Sequence, residues 1–549
     1  MADRSANAVG RINPTTSVAS LVLVVTFVVI GAVWPDTAAG WFDWIQGRIL
    51  YTFKWYFVAI VAFVLAFVVW LGFGRYRNVR LGDDDDVPEF TYASWFSMLF
   101  AAGMGIGLIF WSVAEPLSHY ASNPLVEAGE TPRAASAAMR LTFFHWGLSA
   151  WGVYALVALG LAYFAFRRGR PLAPRSMLHE VVGRRHADGV MGHVVDIVTV
   201  FGAAFGIATS LGLGVQQIEG GLTYLIGPSE GLARQLWVLF AITLVATGSA
   251  VSGVRRGVRV ISDFNLVLSG LILLFFLAFG PARHVLNLFV ETTGSYLQTL
   301  PRLSTWTDAQ EHSGWQEQWT LFYWGWWIAW SPFVGMFIAR ISKGRTLREF
   351  VMGVLLVPVI LTFAWLSITG GTALYLEVFE GANLLAPLES DITQPLYRTV
   401  ELIAPGPMAT VVSALLVLLV ATFFVTSCDS GTLVISAILA NGAAEPPRVL
   451  RLTWGLVEGG LAGVLLIAGG LGALQTASIV AGLPVALLLV VIMLALVRGL
   501  RHEPQAPRPG MHTRAECEPW TGCRIETTQP GTELTEAPSS SGVHGNGSR

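Results

Sequence analysis

Two stretches concentrate aromatic side chains at a spacing that could hold a cation. One reads Phe144-His145-Trp146-Gly147-Leu148-Ser149-Ala150-Trp151-Gly152-Val153-Tyr154. The other reads Tyr323-Trp324-Gly325-Trp326-Trp327-Ile328-Ala329-Trp330-Ser331-Pro332-Phe333. At about 100° per residue, Trp326, Trp330 and Trp327 fall at ~0°, ~40° and ~100° on a helix, and Trp146, Tyr154 and Trp151 at ~0°, ~80° and ~140°. Each set covers one side of its helix, and two such faces turned together make an aromatic box. Each ring face attracts a desolvated cation by about 0.5–2 kcal/mol. A quaternary ammonium suits the box because it has no N–H to satisfy. A primary amine would want a carboxylate, and neither stretch contains one. Aromatic core packing is the plainer alternative, though buried indole N–H groups would still need acceptors.

Two further stretches offer oxygen to a small cation. Ala101-Ala102-Gly103-Met104-Gly105-Ile106-Gly107 places glycine at alternate positions, each costing a helix about 1 kcal/mol relative to Ala. Where a helix unwinds at membrane depth, its freed carbonyls can coordinate an ion. Ala101 and Met104, three apart, can aim theirs the same way. Gly103-x-x-x-Gly107 also fits tight helix packing. The other stretch, Phe423-Phe424-Val425-Thr426-Ser427-Cys428-Asp429-Ser430, carries a hydroxyl pair. Such hydroxyls more often bond their own helix carbonyls. Asp429 is an intramembrane carboxylate, by default a functional candidate, with structural pairing as the alternative. Ala114-Glu115-Pro116 reads as the end of its span with Glu115 a charge at the helix mouth, and His145 as a satisfied core histidine.

These residues need a membrane to position them. Of 549 residues, 54% are hydrophobic and 13% charged, against about 25% charged in soluble domains. A net charge of −2 gives no polycationic surface for nucleic acid. Cys428 lies in an apolar segment and Cys517 and Cys523 in a polar tail, which makes neither a metal framework nor a disulfide scaffold. Twelve helical spans are predicted at 18–34, 51–74, 90–114, 138–166, 192–224, 235–253, 260–280, 317–340, 349–375, 405–438, 452–472 and 477–498, since backbone groups in lipid must pair internally. The N-terminal run lacks a cleavage site and reads as a first membrane helix.

Basic residues collect in alternate loops: Arg75, Arg77 and Arg80, then Arg167, Arg168 and Arg170, then Arg255, Arg256 and Arg259, then Arg340, Lys343, Arg345 and Arg348. The positive-inside rule puts those loops and both termini in the cytoplasm. Residues 281–312 predict an amphipathic interfacial helix. The chain divides into a cytoplasmic 1–17, a transporter domain 18–498 and a cytoplasmic tail 499–549, predicted disordered from its Pro, Gly, Ser and Thr content.

GMGIGLIFWSVAEPLSHY in the third span and FYWGWWIAWSPFVGMFIARISKGRT in the eighth resemble the betaine/choline/carnitine transporter family over the twelve spans. The resemblance implies two leading helices followed by two inverted five-helix repeats of the LeuT type, with the glycine-broken third and Trp/Pro-interrupted eighth spans as matching first helices. It implies a substrate site at Trp146, Trp151, Tyr154, Trp326, Trp327 and Trp330 with Gly105 and Gly107, Trp327 being the nearest cage member and Phe333 close to the cation route. It implies a sodium site from the carbonyls of Ala101, Met104 and Phe423 and the hydroxyls of Thr426 and Ser427. Gly107 stands where proton-linked choline members commonly carry Asp, which leans towards a zwitterion and sodium. Ala203 and Ile207 occupy positions where a second cation site would use hydroxyls, leaving ion stoichiometry open. Homotrimers are implied too.

The expected function is therefore import of glycine betaine or a related quaternary-ammonium solute across a bacterial inner membrane, driven by sodium and with no other cofactor. No P-loop of the form GxxxxGK[ST] is present. The alternatives are a sodium-independent or proton-coupled carrier or exchanger of carnitine, choline or betaine, and a membrane enzyme or osmosensor. The last has no partnered nucleophile or metal set to support it.

Overall fold

The structure, a computed structural model, describes residues 12–103, 105–228, 232–252, 255–404, 406–503, 512–518 and 522–528. The first two helices are α1 (Pro14–Val33) and α2 (Pro35–Phe73). The Asn13 side chain caps α1 by accepting from the Thr16 amide (3.2 Å), with Pro14 in the first turn where its missing N–H costs nothing. Then come α3 (Tyr92–Gly103), α4 (Ile106–Ala121), α5 (Pro132–Trp146) and α6 (Leu148–Ala162). The long α7 (Val190–Ile226) is followed by α8 (Ala233–Ser252), α9 (Arg255–Phe279) and α10 (Ala282–Thr305). The second half holds α11 (Thr320–Ile341), α12 (Leu347–Glu380), α13 (Gln394–Ile403), α14 (Pro407–Leu439), α15 (Arg448–Gly469) and α16 (Leu471–Leu500). Thr346 and Glu349 close a reciprocal capping box at the start of α12.

Apart from a short hairpin in the tail the fold is all-α, and among the described residues ten helical segments are long and apolar enough to cross a membrane. The two predicted spans outside that set are helical as well. The third is divided into two short pieces. The eighth, α11, is 22 residues long but owes its bulk to Trp and Tyr, which lower its mean hydropathy. Rows of large apolar side chains face outward, such as Trp237, Phe240 and Val245 on α8 and Leu271 and Leu274 on α9. Only a lipid solvent makes such a surface favourable. The predicted amphipathic helix is α10.

Four local expectations are corrected. Ala114-Glu115-Pro116 does not end its span: α4 runs through Pro116 to Ala121. Pro116 removes the amide that would bond the Ser112 carbonyl. Gly370 of α12 packs there, where an added Cβ would stand 2.4 Å from that oxygen and 2.8 Å from the Pro116 ring. The fourth span is not one helix but breaks at Gly147 (φ −92°, ψ −146°). The Leu148 amide at the break donates to the Tyr296 hydroxyl of α10 (2.9 Å). The eighth span is not interrupted: α11 continues through Pro332, and the Ser331 hydroxyl donates to the Ile328 carbonyl (2.8 Å) that Pro332 leaves without its amide. In the tail predicted to be disordered, β1 (His512–Glu518) pairs antiparallel with β2 (Gly522–Thr528), Cys517 opposite Cys523.

At the centre, α11 packs against α6, α7 and α16, and α7 packs against α14. One continuous apolar core runs through these helices.

Candidate functional site

All eight residues predicted to line a substrate site border one internal cavity: Gly105 and Gly107 of the broken third span, Trp146, Trp151 and Tyr154 of the fourth, and Trp326, Trp327 and Trp330 of the eighth. Thr362 of α12 and Val334 of α11 also line it and were not foreseen. Their signal was weak, since one hydroxyl and one valine in apolar helices look like any others.

Of the two glycines, Gly107 is the one that space requires; a Cβ on Gly105 would meet nothing within 4 Å. The third span breaks as expected, with Gly105 fully extended (φ −154°, ψ −169°) between α3 and α4. A Cβ on Gly107 would stand 2.3 Å from Cη2 of Trp326. The third span can therefore lie against the tryptophan face only where it carries no side chain.

The rings form a box with walls from two spans. Trp326 and Trp327 stack with centroids 4.6 Å apart, and Trp326 and Trp330 at 5.6 Å. Trp146 meets Trp327 edge-on at 5.0 Å, and Tyr154 meets it edge-on at 6.2 Å. Trp151 and Tyr154 stand at 88° to each other, 5.5 Å apart. Trp146 and Tyr154, on either side of the break at Gly147, both reach the Trp327 ring.

The indole N–H groups are tied back into the protein. Trp327 Nε1 donates to the His145 carbonyl (2.9 Å), Trp326 Nε1 to Ser210 Oγ (3.3 Å) and Trp146 Nε1 to Glu115 Oε2 (2.8 Å). Trp330 Nε1 is buried without an acceptor among the described residues.

Glu115 corrects the reading of a charge at a helix mouth. It is fully buried and accepts from Trp146, from the Tyr323 hydroxyl and from His145, whose Nδ1 lies 2.7 Å from Oε1. His145 is satisfied, as predicted, but by Glu115 and by Thr320 Oγ1 (3.1 Å from Nε2). His119 Nε2 approaches the same carboxylate at 3.3 Å. Glu115, His119 and His145 bring ligand-type atoms within 4.8 Å of one another. Trp146 and Tyr323 donate to Oε2 of the same carboxylate, which makes it the shared acceptor of a hydrogen-bonded cluster. The only sequence signal was a charged residue beside an apolar run.

The predicted sodium ligands lie on two spans, α3 with its continuation α4, and α14. Ala101 belongs to α3, while Met104 lies outside the described residues. The spans that carry the two groups do meet. α4 packs against α14, and Gly214 of α7 lies where an added Cβ would be 3.0 Å from Ile106 and 3.5 Å from Phe424. Thr426 Oγ1 bonds back to the carbonyls of Phe423 (3.1 Å) and Thr422 (3.2 Å), and Ser427 is half-buried beside it. Ala203 and Ile207 are buried, and Ile207 packs against Gly431 of α14. Asp429 is buried with neither oxygen hydrogen-bonded among the described residues. A second buried acid, Glu458 of α15, accepts from Thr432 Oγ1 (3.1 Å) and was not foreseen.

Comparison with known proteins agrees with this architecture. The family model for betaine/carnitine/choline family transporters matches residues 15–505. An uncharacterized transporter of Mycobacterium tuberculosis is 41% identical over 511 residues, 92% of this chain and 86% of that protein. The glycine betaine transporter OpuD of Bacillus subtilis is 42% identical over 494 residues, 89% and 95% of the two chains. A glycine betaine/proline/choline/ectoine transporter of Vibrio parahaemolyticus is 40% identical over 504 residues, 90% and 88% of the two chains.

Proposed function

The chain belongs to the betaine/carnitine/choline family of transporters, and from that premise we propose that it imports glycine betaine or a close quaternary-ammonium solute, coupled to sodium, by alternating access. The observation that carries this reading is the aromatic cavity between the fourth and eighth spans, with no acidic side chain in its lining. Such a site is suited to a methylated cation and unsuited to an amine that must donate hydrogen bonds. Trp330 lines the cavity, and its N–H has no acceptor among the described residues. A zwitterion brings the carboxylate that could accept from it.

The cavity lining is the substrate site in this reading, and Phe423, Thr426 and Ser427 with the backbone of Ala101 and Met104 form the sodium site. For the Thr426 hydroxyl to join such a site it must turn from the Phe423 carbonyl to the ion. Sodium and substrate each favour the same conformer of the bundle and so bind cooperatively. The driving force is the sodium gradient with the membrane potential, about 2.3 kcal/mol per charge per 100 mV. The setting is a bacterial inner membrane with both termini cytoplasmic, and the assembly a homotrimer.

The test is uptake of radiolabelled glycine betaine into proteoliposomes, with and without an inward sodium gradient. Wild type should accumulate betaine only with sodium. Trp327→Leu should raise KM about tenfold, the loss of one desolvated ring. Equal uptake in sodium and potassium buffers would move the mechanism to proton coupling or exchange.

A further inference from the structure

Behind the aromatic cavity lies an acid that does not touch it. Glu115 is fully buried and absent from the cavity lining. Oε1 lies 2.7 Å from His145 Nδ1 and 3.3 Å from His119 Nε2, and Oε2 accepts from Trp146 Nε1 (2.8 Å) and the Tyr323 hydroxyl. Thr320 Oγ1 lies 3.1 Å from His145 Nε2, so its hydroxyl can donate there and leave the His145 proton on Nδ1, facing Oε1. With protons on His145 Nδ1 and His119 Nε2, the cluster would offer four donors, the number that the lone-pair directions of a carboxylate anion can accept.

These bonds reach both walls of the box. Trp146 is a wall itself. The Tyr323 ring lies 5.6 Å from Trp327 and 6.3 Å from Trp326. The His145 carbonyl holds Trp327 Nε1 at 2.9 Å. One carboxylate therefore sets, directly or through one neighbour, the tilt of rings from two different spans.

We propose that Glu115 is the buried counter-charge of the cage, a positioning residue that strengthens the attraction of the rings for a cationic headgroup through Trp146 without touching the solute. An indole that donates its N–H to an anion carries more electron density on its face, and hydrogen-bonded groups in a dry interior polarise one another strongly. The charge also acts across the ring, because little solvent screens it there. This explains how a cavity without an acidic lining favours a cation over a neutral group of the same shape. The inference rests on the quaternary-ammonium reading above.

The experiment compares two competitors of betaine uptake in proteoliposomes holding the full-length protein. One is unlabelled glycine betaine. The other is 3,3-dimethylbutanoate, which replaces the charged nitrogen by carbon at nearly constant shape. Wild type should prefer betaine; no preference there would sink the cage reading itself, before Glu115 is at issue. Given that preference, Glu115→Gln should cut it by about tenfold, with betaine weakened and the carbon analogue little changed. Glu115→Asp, which keeps the charge, should hold the ratio within about twofold of wild type. A scaffold-only role weakens both competitors alike in Glu115→Gln and overturns the proposal. Should that variant fail to fold, Tyr323→Phe decides. It leaves the carboxylate one donor fewer to share its charge, so the preference for betaine should rise, and an unchanged ratio counts against the counter-charge.

Discussion

At the scale of the residue, polar atoms in this protein are placed by what they must bond in a dry interior. Thr426 shows the competition most clearly. Its hydroxyl lies against the Phe423 and Thr422 carbonyls, so in the proposed sodium site the ion would have to outbid a helical back-bond for it. Removing the hydroxyl leaves the carbonyls in place but takes away one ligand. Thr426→Ala is therefore expected to raise the sodium concentration for half-maximal uptake by at least about fivefold, in line with the loss of one bond to a charged partner. The betaine KM at saturating sodium should change much less. A sodium titration of uptake checks this, and an unaltered curve would remove Thr426 from the ion site.

At the scale of the element, glycine decides how closely helices approach. Gly107 faces the Trp326 ring, with 2.3 Å available to a Cβ. Gly107→Ala should displace that ring and reduce betaine uptake by more than about tenfold while the protein still inserts, since the strain falls on a side chain and overpacking costs about 1–3 kcal/mol. Uptake with normal KM in this variant would show that the ring can move aside freely. Gly325 is a different case. An added Cβ there would stand 2.8 Å from the Cα of Ile479 and 3.0 Å from its amide nitrogen. Backbone cannot rotate away, so Gly325→Ala should force α11 and α16 apart and lower the melting temperature in detergent by several degrees, roughly the effect of 1–3 kcal/mol. A melting curve superimposable on wild type would contradict that packing.

At the scale of the whole molecule, the bundle is tied together by ionic contacts beyond the spans. Just past α16, Glu503 accepts from Arg167 Nη2 (2.8 Å) and from the Tyr163 hydroxyl (3.0 Å), at the far end of the fourth span. Burial alone would raise its carboxyl. Hydrogen bonds from Arg167 and Tyr163, with the charges of Arg167 and Arg168, outweigh that and hold its pKa below the ordinary carboxylate value. A carboxyl depressed in the folded state contributes its full stabilisation above its unfolded pKa, about 4.3 for glutamate, and loses it as pH falls through the folded pKa. Thermal unfolding in detergent should show wild type above Glu503→Gln at pH 6, with the gap closing as pH drops below about 4. A gap independent of pH would mean that Glu503 acts by packing alone.

Composition and pattern were enough for the membrane, the helical class, the break at Gly105 and the aromatic residues that gather around one cavity. Each is a local property: apolar run length, glycine density, and angular spacing on a helix. Span ends and continuity were less legible. Pro116 and Pro332 suggest stops by themselves, yet α4 passes the first, whose freed Ser112 carbonyl faces Gly370, and α11 passes the second, whose freed Ile328 carbonyl is bonded by Ser331. The break at Gly147 depends on Tyr296, 149 positions away from it along the chain by subtraction. Glu115 was misread for the same reason. Its partners come from α4 itself, α5 and α11, and no periodicity within one helix reveals that donors from two others will converge on it. The sequence by itself determined which aromatic side chains share a helix face and can wall one cavity, because that follows from residue type and helical angle. Only the tertiary structure decided which buried acid stands behind them, because a charge in a dry interior is defined by partners that distant segments supply.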